Sequence, residues 1–256
     1  MPSRVLREKP SHAVRTFTGA GLRFSPPRML FSGIERPYLL SKLAAGLARQ
    51  IVVLRAPPGF GKTAMMKAAY ERLVDGTLIL PGLHETAVSH CSWLNASGIA
   101  SPERFVSELL QSLGLATMTD KQDALMNVME SIARRDGLTI LFIDNIDEIG
   151  DADQHRLLER LILSAPDKLR IAFSSSSPAK LPLARLKARG VLAELTARDL
   201  EFGRSELRRL LSRGAMPALV DPLMEITRGW PALAQLAAGI IAGNPAEEER
   251  RVLLAG

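Results

Sequence analysis

Several residue types that define common protein classes are scarce in this sequence. A single cysteine in 256 residues excludes a disulfide framework and any metal site built from several thiolates, and it fits a reducing compartment. Only 5% of the residues are aromatic, so a core has to be built mainly from Leu, Ala, Ile and Val. The longest uncharged run, 229–246, is interrupted by Gln235, Asn244 and two prolines. Because a membrane span needs about 20 mostly apolar residues, we expect a soluble, cytoplasmic protein.

Acidic residues are especially scarce at the start of the chain. The formal net charge is +6, but residues 1–36 contain seven basic and two acidic residues and therefore carry +5. This stretch also has four prolines and no sustained apolar period, which predicts a disordered or loosely attached tail over residues 1–28. Its arginines and serines faintly resemble an organelle transit peptide, and a native flexible leader is the simpler interpretation. The rest of the chain is nearly neutral, so net charge alone does not predict a nucleic-acid partner.

Apolar runs alternate with helical patterns through the middle of the chain. Short apolar runs predict buried strands at 51–54, 91–95, 138–143, 169–173 and 191–195. The alternation predicts an α/β fold over residues 29–200, with a mainly parallel sheet flanked by helices. Beyond residue 200 the strand pattern stops. Helical patterns at 205–213, 217–227 and 230–242 then predict a small all-α domain over residues 201–256, complete or truncated.

The strongest chemical pattern is the segment APPGFGKT at residues 56–63. It matches the phosphate-binding pattern Gly-x4-Gly-Lys-Ser/Thr, except that Ala56 replaces the first glycine. In this pattern glycines let backbone N–H groups turn towards the phosphates, Lys62 reaches the outer phosphates and the Thr63 hydroxyl binds Mg²⁺. A strand before the loop and a helix after it make a chance match the weaker interpretation. We predict that the nucleotide is contacted by Pro58, Gly59, Phe60, Gly61, Lys62, Thr63 and Ala64.

Acidic residues follow the most hydrophobic strand of the chain. Asp144 ends that strand, and in P-loop proteins an acid at this position holds Mg²⁺. We therefore predict that Thr63 and Asp144 share the metal, with a simple loop cap as the alternative role for the acid. Asp147 and Glu148 are the candidates to polarise an attacking water, although either could equally be a solvated acid.

Three other groups of residues are weaker candidates. His84, His90 and Cys91 lack the spacing of a metal site. The serine run at 174–177 has no nucleophile elbow around it and indicates a polar loop. The basic segment 181–189 could bind nucleic-acid phosphates, but a solvated connector near the γ-phosphate or a subunit interface is the better interpretation.

Several segments together resemble the ATPase module of the STAND class of signal-transduction NTPases. The resemblance is strongest to the large ATP-dependent LuxR-type transcription activators, typified by the maltose-regulon activator, and it covers about residues 27–242. It rests on ERPYLLSKL at 35–43, the phosphate loop, CSWLN at 91–95, PERF at 102–105, the strand into Asp144, LPLARLKARG at 181–190, ARDLEF at 197–202 and Gly229-Trp230-Pro231.

The resemblance implies a nucleotide switch. A helical domain is expected to close over the P-loop domain, with Pro231 near the base or ribose and Arg36 contacting the nucleotide from the other side. Bound ADP would hold a closed resting state, and inducer with ATP would permit self-association or contact with a protein partner. DNA would be bound only through a domain absent from this chain. The alternative for Gly229-Trp230-Pro231 is a helix start with a buried Trp.

Two departures from the family pattern bear on hydrolysis. Asn145 stands where a second acid usually follows Asp144, and the serine run 174–177 replaces a stretch that usually carries an arginine. Loss of a cation that stabilises the transition state costs orders of magnitude in rate. We therefore predict binding of ATP, ADP and Mg²⁺ with slow or negligible hydrolysis. The alternative function is an AAA-type ATPase that remodels or loads a protein partner, hydrolysing ATP with Asp144 and Glu148.

Overall fold

The computed structural model describes residues 14–16, 22–29, 33–83, 87–115, 124–177, 181–212 and 217–243. Six strands form one sheet: β1 Arg15–Thr16, β2 Ile51–Arg55, β3 Val88–Asn95, β4 Leu138–Asp144, β5 Leu169–Ser175 and β6 Leu192–Thr196. Their order across the sheet is β1-β3-β4-β5-β2-β6, and every neighbouring pair is parallel. The predicted parallel α/β architecture is therefore confirmed.

Helices connect successive strands and continue after β6. They are α1 Pro37–Arg49, α2 Lys62–Val74, α3 Pro102–Ser112, α4 Ala124–Ala133, α5 Ala152–Leu163, α6 Leu183–Ala188, α7 Ala197–Leu200, α8 Arg204–Ser212, α9 Val220–Thr227 and α10 Pro231–Gly243. α3 begins as its sequence predicts, because the Ser101 hydroxyl accepts the N–H of Arg104 and Pro102 occupies the first turn. α5 is capped in the same way by the side chain of Asp151.

The sheet separates two apolar layers. Along β4, Ile140 and Phe142 pack with α1 and α2, whereas Leu141 and Ile143 pack with α3, α4 and α5. All seven residues of β4 are buried, which explains why this strand is the most hydrophobic run in the sequence. Three aromatic rings lie together on the side of the sheet that α1 and α2 cover, where Trp93 stacks on Phe142 and Tyr70 contacts both rings edge-on.

The strand order determines where a ligand would bind. β5 lies between β2 and β4, so the loop after β2 and the acid that ends β4 sit at the same edge of the sheet. In parallel α/β sheets, ligands bind outside the carboxyl ends of the strands. The predicted phosphate loop and the predicted metal-binding acid are therefore neighbours across the end of β5.

The helices after β6 build a third apolar cluster. We call residues 202–212 and 217–243 the helical unit. Its core consists of Phe202, Leu207, Leu211, Val220, Leu223, Ala234, Ala238 and Ile241. The predicted domain boundary near residue 200 stays a prediction, and this separate cluster is what supports it. None of the helices in the described parts of the chain is both long and apolar enough to cross a membrane.

The predicted loose tail over residues 1–28 lies partly outside the described residues. Among those that are described, β1 pairs with β3 and Phe24 packs into the core. Arg23 donates to the carbonyl of Asn95 at 2.7 Å and forms an ion pair of 3.0 Å with Glu108. At these positions the structure differs from a loose attachment, because an aromatic ring and a guanidinium find partners in the folded body.

Candidate functional site

The phosphate loop, residues 56–63, joins β2 to α2 in a conformation that its glycines permit. Gly59 has φ of 81° and Gly61 has φ of 79°, both in the left-handed region where other residues are strained. A Cβ added at Gly61 would meet no heavy atom within 4 Å, so the loop bends around open space. Ala56 replaces the first glycine of the pattern without conflict, because its methyl group is buried in the apolar layer beside α1 and α2.

Carbonyl groups of the phosphate loop accept hydrogen bonds, whereas several of its N–H groups have no acceptor among the described residues. The Lys62 ammonium donates to the carbonyls of Ala56 at 2.7 Å and Pro57 at 3.1 Å. Burial lowers the pKa of Lys62, and the nearby carboxylates of Asp147 and Asp144 oppose this effect. Within the described parts of the chain, the hydrogen bonds of the loop employ its carbonyls but give no acceptor to the N–H groups of residues 59–61. A bound phosphate supplies such acceptors, so the loop fits the group that its sequence predicts.

The two predicted metal ligands, Thr63 and Asp144, are in contact beside the phosphate loop. The Thr63 hydroxyl donates to Oδ1 of Asp144 at 3.2 Å, and the Ser174 hydroxyl donates to the same oxygen. Asp144 is only 2% exposed. Burial raises the pKa of Asp144, and hydrogen bonds from Ser174 and Thr63 act against this increase. A hydroxyl and a carboxylate at this separation are hard oxygen donors that suit Mg²⁺.

The site offers few protein ligands for a metal ion. In the part of the chain that the structure describes, no group of three or more His, Cys, Asp or Glu side chains could hold a metal ion alone. Mg²⁺ bound to nucleotides commonly needs only one or two protein ligands, with phosphates and waters completing its shell. The pair of Thr63 and Asp144 therefore fits a metal that arrives with a nucleotide.

The two predicted water-polarising acids lie in different surroundings. Both belong to a 3₁₀ turn, Ile146–Glu148, that directly follows β4. The Asp147 carboxylate accepts the N–H of Ser176 at 2.9 Å and so ties this turn to the end of β5. Glu148 is exposed and lines the cleft described below. Their catalytic roles stay predictions, and Glu148 is the acid better placed to meet water.

A polar network at the strand ends includes residues that the sequence analysis did not select. The Asn145 amide donates to Oδ1 of Asn95 at 3.2 Å and to the Ser97 hydroxyl at 3.1 Å. The backbone N–H of Asn145 donates to the Ser174 hydroxyl at 2.9 Å. Asn95 and Ser174 lie at or next to the carboxyl ends of β3 and β5, and this shared position is the signal that could have identified them.

The loop opens into a cleft of about 1280 Å³, which is large enough for a nucleoside triphosphate. One side of the cleft is formed by residues 58–65 of the loop and α2, by the outer face of α2 and by residues 33–37 before and at the start of α1. The other side is formed by residues at the strand ends and in the helical unit: Asn145, Glu148, Ser176, Phe202, Pro231, Ala232 and Gln235. All nine predicted nucleotide contacts, from Arg36 to Pro231, line this one cleft.

Arg36 lines the cleft, but its guanidinium is bonded to residues 200, 201 and 206, in and just before the helical unit. It forms an ion pair with Glu206 and donates to the carbonyls of Leu200 and Glu201, each at 2.7 Å. The cation also lies 5.1 Å from the ring centre of Phe202. The structure thus shows a clamp between α1 and the helical unit, and the nucleotide contact predicted for Arg36 stays a prediction.

The helical unit touches the phosphate loop at the start of α10. Pro231 is the first residue of α10, and it is buried. The next residue, Ala232, donates its N–H to the carbonyl of Gly59 at 3.0 Å. The indole N–H of Trp230 points to the carbonyl of Pro58 at 3.3 Å. Because Trp230 is 41% exposed, the alternative of a Trp buried in the core does not describe this residue.

The weaker candidates lie elsewhere. Cys91 is fully buried in β3, and His84 lies outside the described residues. Burial, reinforced by the charges of Arg135 and Arg15, lowers the pKa of His90 to about 4. The basic segment 181–189 contains α6, whose Lys187 forms an ion pair with Glu194 on β6.

Comparisons with known proteins agree with this geometry. A family profile described as an AAA domain matches residues 47–179, more than half of the chain. The chain is 27% identical to the serine/threonine-protein kinase PknK of Mycobacterium tuberculosis, over 93% of this chain and 23% of that protein. It is 25% identical to the HTH-type transcriptional regulator MalT of Vibrio cholerae, over 84% of this chain and 24% of the regulator. A third relative is the regulator AlkS of Pseudomonas putida, 25% identical over 78% of this chain and 23% of that protein.

The chain spans about a quarter of the length of these curated relatives. Among solved structures, a STAND protein with a tetratricopeptide repeat sensor from Pyrococcus horikoshii superimposes with a TM-score of 0.55 at 16% identity, over 87% of this chain and 31% of that one. The Aeropyrum pernix ORC1 protein in complex with DNA gives 0.57 at 19% identity, over 88% of this chain and 65% of that one. At these identities the two structures share the fold alone with this chain.

Proposed function

Because this chain belongs to the AAA domain family, we propose that it is an ATP- and ADP-binding switch module of a signal-responsive transcription regulator. The observation that carries the proposal is the phosphate loop, in which the N–H groups of residues 59–61 have no acceptor among the described residues and the space beside Gly61 is open. Thr63 and Asp144 would hold Mg²⁺, which neutralises phosphate charge when bound. Nucleotide would then occupy the cleft between the loop, α2 and the helical unit.

Slow hydrolysis is part of the proposal. The side chain that follows Asp144 is an amide, and it is bonded to Asn95 and Ser97. Ser174, in the run where related sequences usually carry an arginine, is bonded to Asp144. A cation that contacts the transferred phosphoryl group can contribute about 10³ to 10⁵ in rate. Without an arginine at this position we expect bound ATP to be cleaved slowly, as a switch requires.

The helical unit would convert occupancy into a signal. It meets the loop through Gly59 and meets α1 through Arg36, so its position and the state of the cleft depend on each other. A change in that position would expose or cover surfaces for self-association or for a protein partner. The chain spans about a quarter of the length of regulators such as MalT and AlkS, and any DNA contact would belong to the remainder of such a regulator. The module would act in the cytoplasm.

One observation favours a second function. Glu148 is exposed in the cleft, next to the end of β4, where a carboxylate can polarise water. An AAA-type ATPase that remodels or loads a protein partner would use Glu148 in this way. That function requires rapid turnover that depends on Glu148 and increases with the partner.

Calorimetry with MgATP and MgADP tests the proposed site through Lys62→Ala. Removing a charged phosphate ligand should weaken binding by at least about tenfold, which corresponds to about 1.4 kcal/mol. Lys187→Ala is the matched control, because it deletes the same charge from an exposed helix outside the cleft. It should bind as the wild type does. Undiminished binding by Lys62→Ala would exclude the assignment of the loop.

A further inference from the structure

The outer face of the phosphate loop is bonded to the helical unit at two successive peptide groups. The indole N–H of Trp230 points to the carbonyl of Pro58 at 3.3 Å. The backbone N–H of Ala232, in the first turn of α10, donates to the carbonyl of Gly59 at 3.0 Å. Neither bond uses the groups of the loop that face a phosphate.

These two bonds nevertheless determine how the phosphate-binding groups are oriented. A peptide group is planar and trans, so its C=O and its N–H point in opposite directions. The carbonyl of Pro58 shares its plane with the N–H of Gly59, and the carbonyl of Gly59 shares its plane with the N–H of Phe60. A partner that holds both carbonyls outward therefore holds both N–H groups inward.

The contact is close enough to depend on glycine. A Cβ added at Gly59 would lie 2.6 Å from Nε1 of Trp230 and 2.8 Å from the Cβ of Ala232. At Gly61, where φ differs by only 2°, an added Cβ would meet nothing within 4 Å. The absence of a side chain at Gly59 thus serves the approach of α10 as well as the backbone conformation.

The indole is held on a fixed stretch of backbone. The N–H of Phe202 donates to the carbonyl of Gly229 at 2.8 Å, and the N–H of Trp230 donates to the carbonyl of Thr227 at 2.9 Å. A Cβ at Gly229, where φ is 79°, would lie 2.7 Å from the carbonyl oxygen of Phe202. The backbone that carries the indole of Trp230 is therefore anchored within the helical unit.

We propose that Trp230 is a positioning residue for the phosphate loop, through which the docking of α10 sets the affinity of the loop for polyphosphate. The inference rests on the proposed function and specifies its regulation. By linkage, a ligand that needs the inward N–H groups also tightens the docking of α10. A diphosphate or triphosphate bound to the loop therefore also stabilises the contact between the loop and α10.

The first test measures binding by Trp230→Phe, which keeps an aromatic ring and removes the N–H donor. MgADP and inorganic pyrophosphate are measured by displacement of a fluorescent ADP analogue. The loss of one hydrogen bond should weaken both ligands by about threefold to tenfold. Leu236→Ala, an exposed position on the same helix that does not line the cleft, should leave both affinities unchanged.

Two outcomes of this test would overturn the proposal. One is wild-type affinity for MgADP in Trp230→Phe. The other is a loss for MgADP with unchanged affinity for pyrophosphate, because such a loss would place the indole at the base or ribose.

The second test needs no nucleotide, so it separates this inference from the proposed function. The chain has two tryptophans, and Trp93 is fully buried, so changes at the red edge of the emission report Trp230. In Gly59→Ala the added methyl group should displace the indole and shift the emission of the ligand-free protein to the red. Gly61→Ala, with nearly the same backbone strain, should show no shift. Equal spectra for the two variants would overturn the proposed contact, even if nucleotide binding by the wild type is confirmed.

Discussion

Two opposing effects act on the charge of the Asp144 carboxylate. Its carboxylate is almost completely buried, which raises its pKa because a charge in a poorly solvated site is unfavourable. The hydroxyls of Ser174 and Thr63 donate to the same oxygen and favour the charged form. A divalent cation would relieve this conflict, since it compensates the buried charge directly.

Asp144→Asn should therefore separate stability from metal binding. For an acid with a raised pKa in the folded state, the stabilising contribution is complete below the unfolded value of 3.8 and is lost as pH rises through the folded value. The metal-free variant should accordingly melt at a higher temperature than the wild type at pH 7. Its Mg²⁺-dependent gain in nucleotide affinity should fall by about tenfold or more.

Thermal melts without metal and calorimetry with and without Mg²⁺ would measure these effects. Asp75→Asn is the control for stability, because hydrogen bonds from Thr77 lower the pKa of Asp75 and its removal should not stabilise the protein. An unchanged Mg²⁺ response in Asp144→Asn would contradict the assigned metal pair.

Individual site residues differ in how well their sequence revealed them. Lys62, Thr63 and Asp144 belong to local patterns with a fixed spacing and flanking elements, so sequence alone was enough to select them. Asn95 and Ser174 are ordinary polar residues within their own segments. They become part of the site only because β3 and β5 are neighbours of β4, and such pairings between distant segments cannot be deduced from local patterns.

The pairing of β1 with β3 affects the pKa of one histidine. Arg15 on β1 is in register with His90 on β3. Burial lowers the pKa of His90 to about 4, and the charges of Arg135 and Arg15 contribute to this shift. The arrangement can therefore be detected by titration of a single imidazole ring.

An NMR titration should place the imidazole pKa of His90 near 4, and Arg15→Ala should raise that value. Since the folded value lies below the usual 6.5, the contribution of His90 to stability is complete above pH 6.5 and is lost as pH falls towards 4. His90→Gln should flatten the pH dependence of the free energy of unfolding in that window. A wild-type pKa near 6.5 would contradict the burial of His90, and an unchanged pKa in Arg15→Ala would contradict the packing of β1 against β3.

Elements were predicted well where periodicity was strong. The five longer strands and the helices α8, α9 and α10 lie within a few residues of their predicted positions. β1 was missed because it has two residues in a proline-rich segment without an apolar period. The order β1-β3-β4-β5-β2-β6 was not predicted either, because it depends on packing between segments that are far apart in sequence.

Arg36 binds several groups of the helical unit and of the residues just before it. Its side chain is only 11% exposed and that of Glu206 is 15% exposed, so this ion pair is largely shielded from water. Arg36→Ala should lower the free energy of unfolding by about 2–4 kcal/mol, because it leaves the largely buried carboxylate of Glu206 without its cation and removes the donor to two carbonyls.

Urea unfolding followed by circular dichroism and Trp emission would measure this loss. Arg72→Ala breaks the exposed pair with Glu35 and should cost less than about 1 kcal/mol, as surface pairs do. Equal, small effects in the two variants would mean that Arg36 does not clamp the helical unit.

At the scale of the molecule, residues 27–242 resemble a known class of regulatory ATPase module. The resemblance to the nucleotide-binding module of MalT-like STAND regulators is confirmed by the AAA domain match, by relatives named MalT and AlkS, and by the fold shared with a STAND protein. Within that class, Asn145 and the serine run at 174–177 are the features of this chain that bear on turnover.

The rate of phosphate release from MgATP, measured together with equilibrium binding of MgATP and MgADP, tests the switch most directly. The proposed function predicts that both nucleotides bind through Lys62. It also predicts that phosphate is released at about 10⁻³ per second or slower, the range of a nucleotide switch that lacks a catalytic arginine. Turnover of several per second that disappears in Lys62→Ala and in Glu148→Gln would contradict the switch and favour an ATP-driven remodelling enzyme.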